Sequence, residues 1–208
     1  MKGRVNMYVP KLFKVTDINE IKEFIHHHSF GTVISSKEGR PVATHIPLQI
    51  QEEADQLFLT GHFAYGNSQW RSLLGEEVLV IFQGPHSYIS SSWYTTERVP
   101  TWNYQAVHIY GKAEILEREA LVEDLKLLLE KYELGRDNAV LWHTLSPDLL
   151  EKELKGIVGF KIAVTEVQAA YKLSQNRSDI DFHKIIEQLQ ETQDLATQQI
   201  AEEMKKVR

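Results

Sequence analysis

Across residues 32–116 one short β-patterned segment follows another, each ended by a turn, with no strand–helix alternation. Parallel strands need long crossovers, usually helical, whereas antiparallel strands need only a hairpin. The pattern therefore constrains the chain to a mainly antiparallel sheet. Residues 32–36 read as a strand, 37–40 as a hairpin turn with Gly39 supplying a positive φ, and 41–48 as the return strand. Pro47 has no N–H to give a ladder, so this strand lies at an edge or bulges there. Further strands are predicted over 56–62, 77–83, 104–116 and 156–171, with a short helix over 66–74 and a bulge or close approach at Gly111. No Gly-x-Gly-x-x-Gly follows a strand, which sets a Rossmann sheet aside. Short strands joined by turns close most easily into a barrel, which removes exposed edges.

Helices frame this β region. Asp17 can cap a helix whose Ile18, Ile21, Phe24 and Ile25 form one apolar stripe, running to about His28 with Gly31 just beyond. Residues 117–132 carry Leu121, Leu125, Leu128, Leu129 and Tyr132 on one face, and 147–154 follow a Ser146 cap with Pro147 in the first turn. Residues 179–204 read as one Gln- and Glu-rich helix with a sparse apolar stripe. The expected architecture is mainly β with α (α+β): a barrel domain with inserted helices over 1–172 and a helical extension over 173–208.

Composition narrows function by exclusion. The 208 residues contain no cysteine, which removes disulfides, thiolate metal sites and cysteine nucleophiles together. A net charge of −6 does not support a surface built to neutralise phosphates, so direct DNA binding is not favoured. No apolar run approaches the roughly 20 residues of a membrane span, and no apolar h-region follows the basic start. A cytoplasmic protein is expected. His-Glu-x-x-His, Gly-x-Ser-x-Gly and P-loop motifs are absent, leaving zinc proteolysis, the hydrolase elbow and P-loop hydrolysis without support.

Three clusters carry the chemistry. The stretch 83–110 gathers His86, Tyr88, Trp93, Tyr94, Trp102, Asn103, Tyr104, His108 and Tyr110 around a long loop. Aromatic faces with short polar groups suit a planar, hydrogen-bonding ligand; aromatics folded into the barrel's open end fit the pattern equally. The second cluster, 60–71, ends a strand and begins a helix, so free N–H groups near Asn67 and Arg71 could meet a phosphate, or Asn67 simply caps the helix. The third, 172–178, sets Lys172 and Arg177 among Ser174, Gln175, Asn176 and Ser178. It suits an anion or a subunit contact, and a plain helix cap at Asn176 or Ser178 is the simpler alternative. His45, in a strand, is either a ligand contact or a satisfied core histidine. The trio 26–28 is a poor metal site, because adjacent helical positions do not share a face.

With these segments read, the sequence resembles the PaiB family of FMN-binding, split-barrel transcriptional regulators of sporulation and degradative-enzyme production. The likeness rests on Met7-Tyr8-Val9-Pro10, Ala43-Thr44-His45-Ile46-Pro47-Leu48, Gly61-His62-Phe63-Ala64, Phe82-Gln83-Gly84-Pro85-His86, Tyr88-Ile89-Ser90 and Ser92-Trp93-Tyr94. Val99-Pro100-Thr101-Trp102-Asn103-Tyr104, Gly156-Ile157-Val158-Gly159-Phe160 and Lys172-Leu173-Ser174-Gln175-Asn176-Arg177 complete it. Residues 1–6 precede the family pattern and read as an upstream start or an expression remnant. Ser91, Thr95 and Glu97 depart from that pattern, and Tyr65 stands where related split barrels often carry a basic residue.

The resemblance implies an antiparallel Greek-key split β-barrel with flanking helices, working as a homodimer with FMN in a groove touched by both chains. The cofactor-binding residues it suggests are Thr44, His45, Gly61, His62, Asn67, Arg71, Trp102, Asn103, Lys172, Gln175, Asn176 and Arg177. The implied role is negative regulation of sporulation and protease synthesis. The alternatives are an FMN-dependent oxidoreductase or a heme-binding or heme-degrading protein of the same fold. A pure interaction protein with an empty pocket is a third class. No acid–base pair can be assigned from the sequence, so no catalytic residue is named.

Overall fold

The computed structural model describes residues 7–208; residues 1–6, and the reading given for them, lie outside the described residues. The strands are Lys14–Val15 (β1), Phe30–Lys37 (β2), Arg40–Pro47 (β3), Gln49–Glu53 (β4), Gln56–Ala64 (β5), Glu77–Ile89 (β6), Thr101–Ile115 (β7) and Ile157–Lys172 (β8). The helices are Ile18–His27 (α1), Arg118–Glu133 (α2), Pro147–Leu154 (α3), Asp179–Gln190 (α4) and Leu195–Lys205 (α5). Hydrogen bonding orders the strands β3-β2-β6-β7-β8-β5-β4, with β1 on β8. The architecture is the mainly β, α+β antiparallel fold that the strand pattern predicts, in the split-barrel form that the resemblance implies.

The chain forms two compact units: one takes residues 25–81 and 109–167, the other takes residues up to Phe24 with 82–108 and 168–208. In the first, β2 pairs antiparallel with β3 from Phe30↔Pro47 to Lys37↔Arg40, and β5 pairs with β8 from Phe58↔Ala163 to Ala64↔Ile157. Alternate residues turn inward, so Val33, Leu59, Phe63, Val80, Ile109, Phe160 and Ile162 are buried. Phe63 and Phe160 meet at 5.0 Å between ring centroids. Helix α2 lies over this sheet through Leu121, whose Cδ1 would stand 2.7 Å from a Cβ at Gly159. Asp124, one turn later on the same face, is carried inward with it.

In the second unit α4 and α5 bury Phe182, Ile185, Leu189, Ile200, Ala201 and Met204. Phe24 packs on Tyr171 at 5.2 Å between centroids, and Ser87 of β6 meets Thr197 of α5 at 3.2 Å. The single helix predicted over 179–204 is two. Thr192 Oγ1 donates to the Leu189 carbonyl at 3.0 Å, and the Asp194 carboxylate accepts the Thr197 N–H at 3.0 Å, ending one helix and capping the next. The stripe looks sparse only when the two buried faces are read as one.

Other differences are local. The predicted helix over 66–74 is a 3-10 turn, Ser68–Ser72. Strand β4 was not anticipated, because Gln49-Ile50-Gln51-Glu52-Glu53 holds one apolar residue among four polar ones. Strand β6 continues through Gly84-Pro85 to Ile89, well past the predicted end at Gln83. Its pairing with β2 covers only Leu79–Ile81, and a proline is tolerated where a flank carries no ladder.

Gly111 is a close approach: a Cβ there would sit 2.4 Å from the Ala163 carbonyl oxygen and 2.5 Å from Ile162 Cγ2. Gly111→Ala is expected to lower unfolding stability by about 1–3 kcal/mol through overpacking against backbone that cannot yield. Urea unfolding of the two proteins checks this, and an unchanged midpoint would contradict it.

Candidate functional site

The sequence-predicted residues divide between the two units, and the structure gathers them into separate sets. In the first unit Thr44, on β3, and Asn67, just before the 3-10 turn, are joined by an Asn67 Nδ2 to Thr44 Oγ1 hydrogen bond of 2.9 Å. The Asn67 side-chain oxygen caps the turn by accepting the Gln69 N–H at 3.0 Å. Gln69, which sequence reading missed, organises the group. Its amide donates to the Val33 and Val42 carbonyls at 2.9 and 3.0 Å and accepts from Thr44 Oγ1 at 2.5 Å. It is buried, and its polar atoms are occupied in holding β2, β3 and the turn together.

His45 is not a core residue. It is exposed on β3, shares a 2.8 Å hydrogen bond with Thr32 Oγ1 and stacks on Phe30 at 6.5 Å between centroids. Phe30 is itself 67% exposed, so the pair presents a flat aromatic surface to solvent. Arg71 is also exposed, with its guanidinium carbon 4.1 Å above the Trp70 ring. Trp70 is fixed by donating Nε1–H to the Tyr65 carbonyl at 3.1 Å. The guanidinium thus keeps its hydrogen-bonding edge free of Trp70 while its face is supported.

Gly61 is buried because the chain crosses close by: a Cβ would meet Leu48 Cδ2 at 2.9 Å and the Pro47 carbonyl at 3.1 Å. Next to it, His62 lies opposite Gly159 in the β5–β8 ladder. Burial lowers its imidazole pKa below the ordinary 6.5, and the nearby Asp124 carboxylate partly offsets this. Asp124 is a second residue the sequence did not single out. It accepts from the Thr60 hydroxyl and from the Gln49 and Gln51 amides at 2.9 and 3.3 Å. Burial raises its pKa, while the Thr60 hydrogen bond, His62 and Gln49 oppose the rise. This is a fully bonded polar network that fastens α2 to the sheet.

In the second unit Trp102, on β7, is 52% exposed and lies 6.2 Å from His86 and 6.0 Å from Tyr88, both on β6, measured between centroids. Lys172, at the end of β8, donates to the hydroxyl of Thr101, next to Trp102. Burial lowers the Lys172 pKa, and the Arg177 charge lowers it further. Arg177 stands over the Tyr94 ring at 4.8 Å. Asn103 points inward, wholly buried, donating to Met204 Sδ at 3.3 Å and accepting from Ser174 Oγ at 3.1 Å. Gln175 is occupied within its own turn, accepting the Leu173 N–H at 2.7 Å and donating to the Tyr171 carbonyl at 2.6 Å. Asn176 is exposed, and Ser178 caps α4 by accepting the Asp181 N–H at 3.2 Å. The long aromatic loop contracts to residues 90–100, because β6 and β7 extend into it from both sides.

The antiparallel sheet with its flanking helices, carrying on β7 an exposed indole braced by His86 and Tyr88, places the chain in the split-barrel class. The family model described as "Putative FMN-binding domain" matches residues 7–166. The chain is 60% identical over 199 residues to "Protease synthase and sporulation protein PAI 2" of Bacillus subtilis, covering 95% of this chain and 96% of that protein. It belongs to this FMN-binding domain family, in its PaiB branch. Two solved structures share the fold. The FAD and heme binding protein from Mycobacterium smegmatis is 18% identical, with 82% of this chain and 78% of that one covered at a TM-score of 0.62. The flavocytochrome Anf3 from Azotobacter vinelandii is 16% identical, with 86% and 78% covered at a TM-score of 0.63. At these identities the likeness is one of fold. No helix among the described residues is long and apolar enough to cross a membrane.

The depressed His62 pKa has a consequence for stability. Below its unfolded value of 6.5 the unfolded chain takes a proton that folded His62 resists, so stability is lost as pH falls through that window. His108 is shifted the same way by burial and contributes alongside. Urea unfolding from about pH 7.5 to about pH 5.5 should show a smaller loss of stability for His62→Gln than for the parent. Equal losses would mean that His62 titrates as a solvated histidine.

Proposed function

We propose that this protein binds FMN as a homodimer, the flavin lying in a groove touched by both chains, and acts in negative regulation of sporulation and degradative-enzyme synthesis. The regulatory half follows the name of its Bacillus subtilis relative; the flavin half follows the family and the side chains. Trp102 is the observation that carries the flavin reading. A half-exposed indole, braced by His86 and Tyr88 and followed along the chain by the buried Asn103, is a rigid flat wall. Covering about 100 Å² of it with a flavin ring is worth about 2–3 kcal/mol. Lys172 and Arg177, in the same unit as Trp102, are candidates for the phosphate end; in the other unit Arg71 is a separate candidate cation, and the exposed Phe30–His45 pair is a second surface on which a planar ligand can stack. The flavin, when bound, supplies the redox or ligand-sensing chemistry; the residues of the chain bind and orient it.

A titration of FMN with the purified protein should quench the flavin emission, and Trp102→Ala should weaken binding by about 30-fold or more. Gel filtration should give the mass of a dimer. Wild-type protein that leaves FMN emission unchanged would remove the flavin reading.

Regulation on this reading runs through the ligand or a protein partner, since a net charge of −6 does not favour the many phosphate contacts of a DNA-binding surface. A gel-shift titration at physiological salt should show no retardation of promoter DNA. Retardation with a steep salt dependence would instead establish direct DNA contact.

A further inference from the structure

In the second unit the 90–100 segment and the turn after β8 leave hydrogen-bonding capacity unused. Tyr94 is 7% exposed, yet its Oη has no hydrogen-bond partner, and Arg177 Nε is buried and unpartnered as well. The two side chains are stacked on one another, guanidinium carbon to ring centroid 4.8 Å. Lys172 lies close enough for its charge and that of Arg177 to repel, and it gives a hydrogen bond to a neutral acceptor, the Thr101 hydroxyl. Two cations held together with buried donors to spare call for an anion.

The acidic residues at the start of α4 do not supply it. The Asp181 carboxylate is occupied by the Thr95 N–H at 2.7 Å and the Thr95 hydroxyl at 2.8 Å. Asp179 is paired with Arg208 at 2.6 Å. Both carboxylates instead hold the backbone that presents the site. Asp181 fixes Thr95 and so the neighbouring Tyr94. Arg208 also donates to the Gln175 and Arg177 carbonyls at 2.9 and 2.8 Å, pinning the turn that carries Arg177. Ser174 begins that turn at φ 62°, a left-handed conformation that a non-glycine residue adopts at some cost.

We propose that Tyr94, Lys172 and Arg177 form a binding site for a phosphate-type oxyanion. Tyr94 Oη and Arg177 Nε donate hydrogen bonds to it, the two cations balance its charge, and Asp181 and Arg208 act as positioning residues. The oxyanion has two possible sources. One is the phosphate of FMN, which rests on the flavin reading above. The other is free phosphate or another phosphorylated small molecule, which does not.

The test is calorimetric titration of the full chain with inorganic phosphate in chloride-matched buffer, alongside FMN and riboflavin. The parent protein should bind phosphate. Tyr94→Phe, which keeps the ring beneath the guanidinium, should weaken phosphate at least fivefold while leaving the melting temperature of the unliganded protein unchanged or higher. Arg177→Met should abolish phosphate binding. If FMN loses affinity by the same factor and riboflavin does not, the flavin phosphate is the occupant. If phosphate binding falls and FMN is unaffected, or if the parent binds phosphate but not FMN, the site stands and serves a different phosphorylated molecule. A parent protein that takes up no phosphate, or variants that bind it as tightly as the parent, would overturn the proposal.

Discussion

The first unit depends on one corner, at Pro47-Leu48. Pro47 is the last residue of β3 and pairs with Phe30, where its missing N–H costs no continuing ladder. Leu48 then gives its N–H to the Ser29 carbonyl at 2.8 Å and buries its side chain, 1% exposed. Gln49 begins β4 opposite Thr60 of β5. Within three residues the backbone passes from the ladder on β2 to the ladder on β5, so β3 and β4, at opposite ends of the strand order, are joined directly. That join ties the two ends of the strand order through a single buried leucine. It also decides the neighbouring positions: Gly61 has no room for a Cβ because Leu48 and the Pro47 carbonyl occupy it. The Gln49–Thr60 register brings two donors to Asp124 together.

Much of this fold is legible in the sequence because hairpin chemistry and apolar alternation are local properties. Gly39 at φ 79° makes the turn between β2 and β3, and Ser146 with Pro147 starts α3 where their capping chemistry predicts. What the sequence conceals depends on tertiary partners. The polar β4 is a strand because β5 offers it a ladder and α2 offers its glutamines the Asp124 carboxylate. The C-terminal helices bury two faces because the chain folds back at 191–194, which a single periodicity count over the whole segment cannot detect. Pro85 obscures the length of β6, since a proline normally argues against a strand and only the extent of the β2 pairing explains its presence.

The candidate residues divide along similar lines. Trp102, Lys172 and Arg177 were visible as residue types that a planar anionic ligand needs, and the structure leaves each of them with capacity unspent. Asn103 and Gln175 stood out by the same logic of composition, but their amides are committed to Met204, Ser174 and the backbone of the turn. Gln69, Asp124 and Asp181 had no distinguishing local signal as organisers. A glutamine or aspartate acquires that role only through the partners the fold brings to it, and those lie tens of residues away in the chain.

The distribution of satisfied and unsatisfied groups separates scaffold from function. In the first unit the buried polar side chains Gln69, Thr60 and Asp124 all have partners, even at the expense of a carboxylate held away from water. The buried side-chain atoms without partners among the described residues are Tyr94 Oη, Gln105 Oε1, Tyr171 Oη and Arg177 Nε, and every one belongs to the second unit. Native proteins leave few such groups, because each forfeits the hydrogen bonds it had in water. Random imperfection would scatter them over both units. Two of the four, Tyr94 Oη and Arg177 Nε, belong to side chains stacked on one another, and they are the ones on which the proposed oxyanion site rests. In the first unit each buried polar group is instead spent on another part of the scaffold, so its hydrogen-bond network is closed.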